Sequence, residues 1–295
     1  MGKEQIIVQL NPDVPPTGSD LGIVNAARKS FGRRSEWEVY YDTGEYEEYA
    51  KYRLKEKDKR LLEFLARGMT ADDFEEFLSE VCHAHSWLDD FAVDPIPEDE
   101  LPDITELLWT WRNTPTHDTP FNHGFFSFEI KAPIFVARHL VKHEYLIMSE
   151  YSRRYITEDV EFYEPNVWRK AAKDVKQGSS DEDVRDMNYG SSIPAEVSAF
   201  NTDCFEFYNQ LLSSKVAPEQ ARMVLPQSLM TSWTWSGTLG AFANMCKLRL
   251  ASDTQKETTY VAEKVYEELK KQFPIAAPLL VEGVDLGYQE EEYDD

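Results

Sequence analysis

Residues 138–155 read RHLVKHEYLIMSEYSRRY. Nowhere else in the chain do so many hydrogen-bond donors sit beside apolar residues. Just upstream, Pro133 suits a first helical turn, and apolar residues fall at 134, 135, 136, 140, 141, 145, 146 and 148. That spacing predicts a mostly buried helix over 134–149. Arg138, Lys142 and Tyr145 lie at helical spacing, as do His139 and His143, so one face of such a helix carries cations. The following SEYSRRY sets Ser152 two residues before Arg154 and two after Glu150. A guanidinium fork with a hydroxyl beside it, near a chain bend, suits a phosphate. A nearby carboxylate suits a sugar hydroxyl or a base N–H. A salt-bridged surface helix is the plain alternative, and the apolar stripe counts against it.

The neighbouring segments set the fold class. IIVQL (6–10) and GFFSFEIK (124–131) read as strands, as does 159–164. Leu54–Arg67 reads as a helix that Gly68 can stop. Thr70–Trp87 reads as an acidic helix, and residues 70–104 as a whole as a surface insertion. Its His83 and His85, two apart, share no helix face and are not expected to bind metal. Ile104–Arg112 reads as a short amphipathic helix and NTPTHDTPFNH as a loop. Residues 36–53 give weak signals, and 174–193 reads as a mobile connection. Helices are expected at Pro194–Leu212, Pro218–Val224, Thr238–Leu250 and Lys256–Gln272. Trp233 and Trp235 alternate, as a core pair or a stacking surface does. Long helices with few strands give an α+β class, not a doubly wound sheet. One domain over 1–288 is expected, with an acidic, disordered tail at 289–295.

Composition narrows the function. There are 54 Asp and Glu against 31 Lys and Arg, a formal net charge of −23. Such a field repels phosphate backbones, so nucleic acid is not an expected partner. No run of about 18 apolar residues occurs, so no membrane span is expected. The first ten residues do not resemble a signal peptide, and three scattered cysteines (Cys82, Cys204, Cys246) fit a reduced, cytoplasmic protein whose thiols sit in its core and hold no zinc. No GxGxxG, P-loop, GxSxG or HExxH pattern occurs. A basic cluster at 26–34, AARKSFGRR, stands out against the acid and suits a small anion.

The opening stretch resembles the signature of the flavin-dependent thymidylate synthases, whose motif is Arg-His-Arg, seven residues, then Ser. Here the matching residues are Lys142-His143-Glu144, seven residues, then Ser152. NAARKSF (25–31) is similar to the family's early flavin-contacting segment. TPFNH (119–123) is similar to its Ser-Pro-Phe-Glu-His. RMVLP (222–226), Asn244, Leu248-Arg249 and Gln255 match its C-terminal block. The matches run from about residue 23 to 270 and leave 70–104 as extra material.

The resemblance implies an α+β fold with an antiparallel sheet and long helices, in a homotetramer with active sites between subunits. It implies FAD as cofactor, dUMP as substrate, methylenetetrahydrofolate as carbon donor and NADPH as reductant. Carried over residue by residue, His139, Glu150, Ser152, Arg153, Arg154, Arg222 and Arg249 would hold the nucleotide, with Arg249, Glu150 and Ser152 closest to the chemistry. Ser30, His123, Lys142, His143, Glu144, Thr238 and Asn244 would lie along the flavin. No metal is implied. The departures sit mainly on the flavin side. Lys142 and Glu144 replace two arginines and take the local charge from +2 to 0. Thr238 stands at a frequent Asn, His139 at a Gln, Ser149 at an Asn and Arg153 at a small residue. Three readings follow: thymidylate synthesis, a pyrimidine nucleotide hydroxymethylase (dUMP or dCMP) of a DNA-modifying virus, and a non-catalytic nucleotide-binding homologue.

Overall fold

The computed structural model describes residues 2–43, 48–67, 117–158, 160–172, 179–187 and 190–282. In chain order its elements are α1 (Gly2–Gln5), β1 (Ile7–Leu10), α2 (Asp20–Arg28), β2 (Glu38–Thr43), β3 (Glu48–Arg53), α3 (Glu56–Arg67), β4 (Phe125–Pro133), α4 (Ile134–Leu140), β5 (Ile147–Glu150), β6 (Arg169–Ala171), β7 (Ser179–Asp183), α5 (Ile193–Ser213), α6 (Pro218–Ala221), β8 (Met230–Thr238), α7 (Leu239–Arg249), α8 (Lys256–Gln272) and α9 (Ala276–Val281). They fall into two compact units. One takes residues 1–17 and 125–268, the other 18–124 and 269–295.

The first unit is built on an antiparallel sheet of order β1–β4–β8–β5. On one face Phe126, Phe128, Ile130, Trp233 and Trp235 are buried, because alternate residues of β4 and β8 point the same way. Phe242 of α7 packs edge-on against Phe128 and Trp235, with ring centroids 5.1 and 5.3 Å away. Such pairs add about 0.5–1.5 kcal/mol each beyond area burial. The tryptophans are therefore core. On the other face a polar ladder runs Asn11–Ser127–Ser236. Helix α8 shows Thr258, Val261, Ala262 and Val265 to the interior of this unit, the spacing of an amphipathic helix. Cys246 on α7 is fully buried, its Sγ 3.7 Å from the Ala262 carbonyl. Arg169 joins β6 to Glu257 of α8 through two hydrogen bonds of 2.7 and 2.8 Å, and Glu257 is almost wholly buried.

The second unit packs α2, α3, α9 and the 3-10 turn Thr119–His123 around Ile23, Val24, Leu62, Phe121 and Phe273. Ser19 caps α2, accepting from the Gly22 N–H. Asp20 accepts from Ile275 and Ala276 at the start of α9. Gly124 is required where it is: a Cβ there would stand 2.4 Å from the Phe273 ring.

Several expectations are corrected. The helix predicted over 134–149 ends at Leu140, and residues 147–150 form β5. Their apolar spacing fits a helix, but the free edge of β8 offers a ladder, Ile147 opposite Ser236 through Glu150 opposite Trp233, and pairing wins. The reversal needs Tyr145 in the left-handed region, φ +64°. It also needs Gly237, where a Cβ would lie 2.4 Å from Leu146 Cδ2. Among the described residues, 160–164, the expected strand is reduced to one bridge, Phe162 to Leu229. Residues 36–53 hold the β2–β3 hairpin, and β6–β7 reaches into the connection expected at 174–193. The expected stop at Gly68, the helices at Thr70–Trp87 and Ile104–Arg112, the insertion at 70–104 with His83, His85 and Cys82, and the tail at 289–295 lie outside the described residues.

Candidate functional site

Strand β5 ends at Glu150, and the Tyr151 N–H extends the ladder to the Ser232 carbonyl at 2.8 Å. The chain then turns, with Tyr155 and Ile156 both donating to the Ser152 carbonyl. This bend lines a cavity of about 400 Å³ with Glu150, Ser152, Arg153, Arg154, Arg222 and Thr231. Five residues marked as nucleotide-binding in the sequence are thus brought together. Arg222 comes from the 3-10 turn Arg222–Val224, where its Nε donates to the Glu219 carbonyl at 3.3 Å.

The roles inside this cavity differ. Thr231 Oγ1 donates to Glu150 Oε1 at 2.8 Å and holds the carboxylate at the edge of the sheet. Ser152 Oγ accepts from both N–H and Nε of Arg154 at 3.4 Å, which leaves its own hydrogen to donate. Arg154 lies over the Tyr155 ring at 5.1 Å. Arg153 donates to the Glu158 carbonyl and covers the Tyr151 ring at 5.0 Å, so it braces the bend. Arg154 and Arg222 are exposed, and among the described residues neither has a carboxylate partner. In a chain of net charge −23, two arginines on one cavity, without an ion pair among the described residues, suit an anion.

Arg249, the last residue of α7, lies in the same unit. Its Nε donates to His143 Nε2 at 2.8 Å. Burial, then Arg249, then His139 hold His143 down at about 4, so its ring is neutral at pH 7. His139 Nδ1 lies 3.1 Å from Thr258 Oγ1, and burial followed by Arg249 lowers its pKa too. His143 sits in the turn after α4, its N–H bonded to the Leu140 carbonyl. Lys142 and Glu144 flank it, exposed to solvent. Thr238 caps α7, accepting from Ala241 at 3.2 Å, and Asn244 is exposed one to two turns further along.

Ser30 and His123 belong to the second unit. Ser30 donates to the Ala27 carbonyl and lines a cavity of about 660 Å³. Arg28, Arg33, Lys57 and Arg60 surround that cavity, with the exposed rings of Phe31 and Phe64. Arg28 is held by buried Asp58 at 2.6 Å. Arg33 and Lys57 have no ion pair among the described residues. Cations beside exposed aromatic rings fit part of a flat, phosphate-bearing group such as a flavin nucleotide. His123 ends the 3-10 turn, exposed. Among the described residues no group of three His, Cys, Asp or Glu is placed to hold a metal, and no helix is long and apolar enough to cross a membrane.

Sequence reasoning missed Thr231 and Thr258. Thr231 lies in MTSWTWSGT (230–238), whose alternation is the signal for β8 and for the strand facing Glu150. Thr258 carries no local signal. Its role exists only because α8 passes His139.

The chain agrees over residues 15–275 with the family model Thy1, thymidylate synthase complementing protein. The chain belongs to the Thy1 family. Among similar curated proteins is the flavin-dependent thymidylate synthase of Thermus thermophilus, 37% identical over 164 residues, which is 54% of this chain and 57% of that protein. The protein of the same description from Treponema denticola is 32% identical over 166 residues, 54% of this chain and 60% of its own. The chain thus spans less than two thirds of these Thy1 relatives. Among solved structures, the UMP/dUMP methylase PolB from Streptomyces cacaoi bound with 5-Br dUMP superposes with a TM-score of 0.58 at 24% identity, covering 93% of this chain and 94% of PolB. The same enzyme with 5-Br UMP gives 0.59 at 22%, covering 93% and 92%. These confirm the expected α+β Thy1 fold with its antiparallel sheet and long helices.

Proposed function

We propose that this chain is an enzyme that transfers one carbon from methylenetetrahydrofolate to C5 of dUMP, with FAD as cofactor and NADPH as reductant. The observation that carries the reading is that Arg154 and Arg222, without an ion pair among the described residues, line a cavity that also presents Glu150 and Ser152. The arginines take the 5′-phosphate, each as a charge-assisted pair. Ser152 and Glu150 face the sugar and base, where a donor and an acceptor are both needed. Arg249 meets a uracil carbonyl and stabilises the negative charge that develops there as C5 becomes nucleophilic. Neither described cysteine is assigned a part: desolvation raises the Cys204 thiol, and it pushes the buried Cys246 thiol far up.

Ser30, His123, Lys142, His143, Glu144, Thr238 and Asn244 are assigned by family resemblance to the FAD side, with the basic and aromatic lining around Ser30 in support. Bound FAD would supply the reducing equivalents that a carbon at the methylene level needs to become methyl. The family match runs through both units, which supports reading 1–288 as one family domain. A homotetramer fits the exposed Phe200 and Phe207, two turns apart on α5, a 21-residue helix. Light scattering after size exclusion tests that assembly.

The function is tested by calorimetry with dUMP and by incubating the FAD-loaded protein with dUMP, methylenetetrahydrofolate and NADPH. A product 14 mass units heavier (one CH₂) is expected. A gain of about 30, for CH₂O, would replace the methyl product with hydroxymethyl. No dUMP binding would remove the reading.

A further inference from the structure

The Arg249–His143 pair has a chemistry that the family resemblance does not assign. Arginine has only donors, so the 2.8 Å contact from Nε requires a lone pair on His143 Nε2 and places the imidazole proton on Nδ1. The bond uses Nε alone. Among the described residues the two terminal nitrogens of Arg249 have no hydrogen-bond partner, so its outer edge is open to a planar acceptor. The partner is neutral. A carboxylate in this place would orient the guanidinium equally well but would spend its charge on a neighbour.

We propose that His143 is a positioning residue for Arg249: its uncharged Nε2 fixes the guanidinium plane without itself neutralising the charge that faces the pyrimidine ring, while Asp253 acts on that charge from outside the bonded pair. This rests on the dUMP reading above and moves His143 from the flavin side to the nucleotide side. The turn geometry serves it. His143 is pinned by its N–H to Leu140, and the left-handed Tyr145 closes the turn two residues later. The partners Lys142 and Glu144 stand exposed on either side, so the motif's central histidine alone reaches inward. Burial and Arg249 hold the ring neutral.

Three variants and two readouts test it. In ¹⁵N-labelled protein at pH 7, long-range ¹⁵N–¹H correlation is expected to show His143 with Nδ1 protonated and Nε2 bare, assigned by loss of the signal in His143→Gln. A protonated Nε2 overturns the proposal whether or not dUMP binds. Calorimetry of the FAD-loaded protein with dUMP gives the second readout. His143→Ala is expected to weaken binding about tenfold and His143→Gln, whose amide oxygen still accepts, less than about threefold. Equal loss in both, or release of FAD from both, overturns the proposal and returns His143 to a different role. Arg249→Ala separates the two levels of argument. If it binds dUMP as the unmodified protein does, the nucleotide assignment of Arg249 fails. If it weakens binding while His143→Ala does not, only the positioning role fails.

Discussion

The hydroxyl of Thr231 and the carboxylate of Glu150 are joined across the β5–β8 edge, with the threonine nearly buried in the sheet and the glutamate facing the cavity. One oxygen of Glu150 is therefore committed to the sheet, and the proposed function gives the other to the nucleotide. Thr231→Val keeps the shape and removes the donor. It is expected to cost about 1 kcal/mol or less in urea unfolding and to weaken dUMP several-fold by calorimetry, since an untethered carboxylate samples other rotamers.

Arg154→Ala and Arg222→Ala separate binding from folding. Both side chains are exposed and without a carboxylate partner among the described residues, so unfolding free energy should change by less than about 0.5 kcal/mol. A charge-assisted bond contributes about 1.5–3 kcal/mol, so dUMP affinity should fall about 10- to 100-fold in each. Unchanged calorimetric affinity in both would remove the phosphate assignment.

His143 gives stability a pH dependence with a defined sign. Its folded value is about 4 against the ordinary 6.5, lowered by burial, Arg249 and His139 in that order, while Asp253 lies near Arg249. The unfolded chain binds the proton first, so this contribution is fully present above about pH 6.5 and is lost as pH falls toward 4. Urea midpoints taken from pH 7 to pH 5 should fall more steeply in the unmodified protein than in His143→Gln. Parallel curves would mean that the ring is not held neutral.

Gly237→Ala tests the reversal that makes the site. The added Cβ meets Leu146 Cδ2 at 2.4 Å and the Tyr145 carbonyl at 3.2 Å. The leucine can rotate and the backbone oxygen cannot, so a loss of about 1–3 kcal/mol is expected in thermal unfolding. A thermal midpoint equal to that of the unmodified protein would show that the turn has room.

Arg169→Met leaves Glu257 buried with its cation gone. Loss of one partner from such a pair costs about 3–5 kcal/mol, whereas the double change Arg169→Met with Glu257→Leu should recover much of it. A double-mutant cycle by urea unfolding reads the difference directly.

What the sequence revealed depended on distance along the chain. Lys256–Gln272 was legible to the residue, because its buried positions repeat every three or four residues and need no knowledge of the rest. Strand β4 was legible from its own alternation. Residues 134–149 were not, because the deciding partner, β8, lies some 90 positions later and its pull is invisible in local spacing. The hairpins β2–β3 and β6–β7 are rich in charge, and little apolar alternation marks them. For the site, Glu150, Ser152 and Arg154 stood out as a short dense pattern, while Arg222 and Arg249 gained meaning only from the family resemblance. That His143 meets Arg249 across 106 positions could be read only in three dimensions.

The enclosed thiol of Cys246 has a practical consequence. Desolvation suppresses its thiolate strongly, and its sulfur faces the backbone of α8 at Ala262. A maleimide added to folded protein would mark the partly accessible Cys204 and spare Cys246. The rate at which Cys246 becomes labelled is therefore a built-in clock for the parting of α7 from α8, readable by peptide mass spectrometry in any variant whose helix α7 carries Arg249 at its tip.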